Sequence, residues 1–129
     1  MLPDDAVDRI AEGCRQIGTL CKSHGIEQWE VVATQSYGHS IDIEAGKISL
    51  AAGGGEGGYG VRVVEDGRFG YAYLVDLASA DYALQQARDI AKASPSVEGF
   101  VLPSEQTARK VGGLFDTNIL NIGPEDLIE

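Results

Sequence analysis

Apolar residues along the first part of the chain recur at intervals of three and four: Val7, Ile10, Ala11, Cys14, Ile17 and Cys21. That spacing places them on one face of an α-helix, and it predicts a helix from about Asp4 to Ser23. Acidic Asp4, Asp5 and Asp8 suit the positive end of the helix dipole, and Gly25 follows the expected stop.

The period then falls to two. Glu30 to Ser36 is rich in strand formers, Ile41 and Ile43 alternate with Asp42 and Glu44, and Ile48, Leu50 and Ala52 resume the alternation after an Ala45-Gly46 turn. Beyond a glycine-rich break, Tyr59, Val61 and Val63 alternate with Gly60 and Arg62. Phe69, Tyr71, Tyr73 and Val75 then alternate with Gly70, Ala72 and Leu74. Asp66-Gly67 between these runs is a strong hairpin signal. The pattern predicts about five antiparallel strands, with 59–65 and 68–75 paired and Ile41, Ile48, Val61 or Val63 in the core. The face bearing Gly70 and Ala72 lacks bulk and leaves room for a helix to approach.

A second helical stripe, Ala80, Ala83, Leu84, Ala87, Ile90 and Ala91, follows Ser79 as N-cap and stops before Pro95. The expected fold is α+β: helix, antiparallel meander of about five strands, helix, with both helices on one face of the sheet. From Ser94 the periodicity is lost. Residues 1–94 read as an amino-terminal domain and 95–129 as an extended C-terminal connector. Pro124-Glu125-Asp126-Leu127 has the form of a helix start, so the expectation is a natural chain that continues into a second domain.

Composition narrows the function classes. A chain of 129 residues, 43% apolar and 23% charged, is ordinary for one globular core. Twenty acidic against 10 basic residues give a net charge of -10, which repels phosphate backbones and argues against direct nucleic-acid contact. No stretch approaches the ~20 apolar residues that span a bilayer, so no membrane partner is expected. The acidic start Met1-Leu2-Pro3-Asp4-Asp5 is unlike a secretory signal. The expected location is cytoplasmic.

Candidate chemistry is sparse. Cys14 and Cys21 lie two helical turns apart, roughly 10 Å at 1.5 Å per residue, too far for a disulfide. They read as small buried apolar groups. His24, past the first helix, and His39, in an expected turn after Gly38, have no second ligand at metal spacing. Gly55-Glu56-Gly57-Gly58-Tyr59-Gly60 satisfies G-x-G-x-x-G, but it leads into a strand rather than a helix and carries only an acid. Gly53 to Gly58 therefore reads as a mobile hairpin loop. Arg62, mid-strand, reads as a solvated arginine or a salt bridge to a strand acid; the functional alternative is a contact to a partner domain or peptide.

The run Gly58-Tyr59-Gly60-Val61-Arg62-Val63-Val64-Glu65-Asp66-Gly67-Arg68-Phe69-Gly70-Tyr71-Ala72, followed by Asp76-Leu77-Ala78-Ser79, resembles the amino-terminal domain of the TldD/PmbA family, the putative modulators of DNA gyrase. Ser40-Ile41, Ile43, Gly46-Lys47-Ile48, the alanine-rich helix and Leu114-Phe115-Asp116 agree in order. The resemblance implies a two-domain, metallopeptidase-like protein acting on unfolded or modified peptides, as a homodimer or TldD–PmbA heterodimer. In the TldD branch it implies a metal, zinc, on an H-E-x-x-x-H helix of the second domain. That motif is absent here, so no catalytic, cofactor or metal residue carries over and the isolated chain is expected to be inactive. Gly60, Arg62, Asp66, Gly67, Arg68 and Gly70 are the signature residues, with structural or partner-contact roles. The functional expectation is a non-catalytic scaffold domain of a peptide-processing protein; the alternative is a stand-alone module that binds a protein or peptide.

Overall fold

In the computed structural model, which describes residues 4–109 and 111–128, helix α1 spans Asp4–Ser23 and helix α2 spans Ala80–Ala93. Between them lie β1 (Gln28–Glu44), β2 (Lys47–Glu65) and β3 (Arg68–Leu74), an antiparallel sheet in sequential order. The α+β class and the order helix, meander, helix agree with the sequence. The strand number does not: among the described residues there are three strands, not five.

Two expected breaks are absent. Residues 34–44 and 47–58 pair residue for residue as a two-stranded ribbon, with a single irregularity between Asp42 and Ile43. The glycines expected to form a mobile loop lie inside β2, with Gly53, Gly55 and Gly57 opposite His39, Tyr37 and Gln35. His39 is therefore a strand residue and not a turn residue. The larger β1 side chains occupy the space that β2 leaves. A Cβ at Gly53 would overlap the His39 ring, and one at Gly55 would lie 3.3 Å from Tyr37. Propensity reads such a run as loop; cross-strand aromatics can instead hold it in a ladder.

Both hairpin turns form where expected. Ala45 and Gly46 have φ of 50° and 72°, and Asp66 and Gly67 have 53° and 68°. Two successive positive φ values match the right-handed twist of the flanking strands. β3 pairs with β2 over residues 59–65, which joins the two expected hairpin strands.

The core lies between the helices and one face of the sheet's broad end. Tyr59, Val61 and Val63 of β2 pair with Leu74, Ala72 and Gly70 of β3, so all six share that face. Ile17 and Cys21 of α1, Ile26 just past it, and Ala83, Leu84, Ala87 and Ala91 of α2 complete the cluster. Burying Ile17 and Leu84, each 1% exposed, stabilises the fold by about 2 kcal/mol apiece. Gly70 and Gly18 permit close approach. A Cβ at Gly70 would overlap the Ala87 carbonyl oxygen, and one at Gly18 would lie 2.6 Å from Trp29.

Other expected core residues lie outside this cluster. Ile48 is 44% exposed and Ile43 62%, because neither helix extends over the ribbon that carries them. Ile41, on the same ribbon, is only half-buried. Val7 and Ile90 are likewise exposed, and Ala6 turns inward in Val7's place. Ser79 occupies the N-cap position of α2 without a side-chain cap. Asp76 instead accepts from the Ala78 amide at 3.0 Å and caps a short 3₁₀ turn, Leu77–Ser79, that leads into the helix. Past Ser94 the described residues contain only two 3₁₀ turns, Thr117–Asn121 and Pro124–Leu127.

Candidate functional site

The signature residues collect at the β2–β3 hairpin. Gly60 and Gly58 lie beneath the Tyr71 and Tyr73 rings, where a Cβ would overlap the phenol oxygens. Those rings belong to the sheet face opposite the helices. That face has three rows across the strands: Gln28–Val64–Phe69, Glu30–Arg62–Tyr71, and Val32–Gly60–Tyr73. Tyr71, Tyr73 and Val32 are 54%, 55% and 54% exposed. The result is an open, aromatic-lined surface continuous with the ribbon.

Arg62 stands in the middle row. Its guanidinium donates to Glu30 Oε1 at 2.8 Å from the neighbouring strand, a salt bridge to a strand acid. Its Nε is buried without a hydrogen-bond partner. Arg88 of α2 donates to both Glu65 oxygens, at 2.9 and 3.3 Å, and ties the helix to the end of β2. Paired contacts of this kind are the strong form of a guanidinium–carboxylate interaction.

Around the turn, main-chain groups do the binding. Gly67 O accepts from the Val97 amide at 2.8 Å, and Asp66 O accepts from Ser96 Oγ at 3.1 Å. Arg68 Nη1 donates to Ser94 O at 2.7 Å and Lys92 O at 3.3 Å, meeting carbonyls that the end of α2 leaves unpaired. Gly70 packs against the main chain of α2 at Ala87 and Ala91. Sequence reasoning did not find Glu30, Gln28 or Val32 as neighbours of the signature. The pairing register brings them there, and that register was hidden while β1 was read as two strands.

Among the described residues, no group of three or more His, Cys, Asp or Glu side chains is placed to hold a metal. His24 shares its Nε2 with Asp81 at 2.8 Å, a link between the end of α1 and the start of α2. His39 packs edge-on against Tyr37, with its Nδ1 buried and unpartnered. The two imidazoles lie on different elements with different partners. This donor set does not fit a hydrolytic zinc, which needs three or so converging ligands. Cys21 is fully buried, and burial pushes its thiol up to about 11; burial raises Cys14 as well. Neither is an activated nucleophile. No helix among the described residues is long and apolar enough to cross a membrane.

The architecture thus defines a class: an α+β domain with two helices on one face of a three-stranded meander and an open face on the other. A family model described as PmbA/TldA metallopeptidase domain 1 matches residues 29–91, which includes the whole hairpin and most of α2. Over residues 29–91 the chain is similar to the first domain of the TldD/PmbA family. Its fold is similar to that of TldE from Thermococcus kodakarensis, with a TM-score of 0.73 at 18% identity, over 84% of this chain and 26% of that one. The chain therefore spans about a quarter of that relative's length. No curated protein matches it.

Proposed function

We propose that this domain is a non-catalytic scaffold of a TldD/PmbA-type, peptide-processing protein. In this reading the open sheet face and the free strand edges receive polypeptide, from a second domain or from an extended peptide substrate. One observation carries it: Val32, Tyr71 and Tyr73 form an exposed apolar face beside a ribbon whose β2 edge, from 47 to 58, has no strand on its outer side among the described residues. Aromatic groups gathered on a sheet face mark an interaction surface, and a free edge offers main-chain groups to an added strand. Dimer formation and a zinc-bearing second domain belong to the same proposal, as does an indirect, peptide-mediated link to gyrase. The −10 net charge supports a role without nucleic-acid contact.

The test is metal content and turnover of the purified chain. It should contain no stoichiometric zinc and leave casein and short unstructured peptides uncleaved. Metal-dependent cleavage that disappears in His24→Ala or His39→Ala would overturn the scaffold reading and place the chemistry in this domain.

A further inference from the structure

The bonds around the β2–β3 turn follow a path. α2 lies on the helical face of the sheet, and Arg68 holds its last carbonyls, at Lys92 and Ser94, beside the turn. Ser96 and Val97 then bind the Asp66 and Gly67 carbonyls. Next, Phe100 stacks on Phe69 with ring centroids 5.4 Å apart, and the Leu102 amide donates to Gln28 Oε1 at 3.0 Å. Phe69 and Gln28 are the two ends of one row on the opposite, open face, and Val64 between them is 4% exposed. Residues 100–102 therefore cross that row from β3 to β1. Beyond them, Phe115, Ile119 and Leu127 line a cleft of about 570 Å³ with Tyr37 and His39 of β1.

From this path we infer that the Asp66-Gly67-Arg68 turn is a docking site for the chain's own segment Ser94–Leu102. The turn guides the chain round the end of the sheet, from the helical face to the open face, and fixes its exit past β1. The role explains the residue types. Gly67 presents its carbonyl to Val97 at a φ of 68°, and a Cβ there would lie 2.8 Å from Ser96 Oγ and 3.1 Å from the Val97 carbonyl. Arg68 serves two carbonyls at once through the two hydrogens of Nη1.

Amide hydrogen exchange on the 129-residue chain tests this. The Val97 and Leu102 amides should exchange about tenfold or more slowly than those of residues 104–108, since each is held by a hydrogen bond and a packed ring. Phe100→Ala, which leaves α2 and the core untouched, should bring both amides close to the rate of 104–108. Arg68→Met should speed Val97 and the last turn of α2 together. Val61 and Val63 stay protected in each variant, which separates release of the connector from unfolding. Native exchange at Val97 as fast as at 104–108 overturns the inference, and so does a Phe100→Ala variant with unchanged protection at Val97 and Leu102.

Discussion

Gly70 of β3 lies directly under the Ala87 carbonyl of α2, so close that a Cβ at position 70 would overlap that oxygen and come within 2.6 Å of the Ala91 amide nitrogen. Main chain meets main chain there, and neither side can yield by rotating a side chain. An ordinary strand glycine gains about 0.5–1 kcal/mol when replaced by alanine. Here the sign reverses: Gly70→Ala should cost about 1–3 kcal/mol through displacement of α2. Urea unfolding of the two proteins decides between these outcomes.

The opposite outcome is expected at the ribbon turn. Ala45 adopts a φ of 50°, which a Cβ disfavours, and nothing lies within 4 Å of a Cβ at neighbouring Gly46. Asparagine tolerates this region and suits the first central position of such a hairpin. Ala45→Asn should therefore stabilise the chain by about 0.5–1 kcal/mol. Gly46→Ala, at a φ of 72°, should destabilise it by a similar amount. Thermal melts of both variants measure the two signs.

The Arg62–Glu30 pair is about one-third exposed on each side, so solvent screens much of its attraction. A double-mutant cycle with Arg62→Met and Glu30→Gln should return a coupling of about 0.5–1 kcal/mol. A coupling near zero would show that Glu30 is not what holds Arg62 in place.

Cys21 gives the chain an alkaline limit. Burial raises its thiol from 9.0 in the unfolded chain to about 11 in the fold, so the native state keeps its proton longer. That contribution to stability is fully present below pH 9.0 and is lost progressively as pH rises towards about 11. Cys21→Ala should flatten stability against pH in this window. At pH 8, Cys21 should be alkylated by iodoacetamide only at the rate of unfolding, and Cys14, which is only half-buried, should react first.

Much of the fold was legible in the residue order because the signals concerned are local. The 3.6-residue period set both helices at Asp4–Ser23 and Ala80–Ala93, and Asp66-Gly67 set the β2–β3 hairpin, since positive φ at two adjacent residues is a demand on those residues alone. Gly70 and Ala72 already marked the face that a helix would approach. What tertiary structure decided were the matters that depend on a distant partner. Gly53 to Gly58 become strand because Gln35, Tyr37 and His39 fill the space beside them. Ile43 and Ile48 alternate as well as Val61 and Val63 do, yet only the valines are buried, because alternation assigns a residue to a face and cannot say which face a helix covers. Arg68 reads from the sequence as a signature residue with a structural or partner-contact role; its partners at Lys92 and Ser94 lie more than 20 residues away and are carbonyls, which no side-chain pattern records.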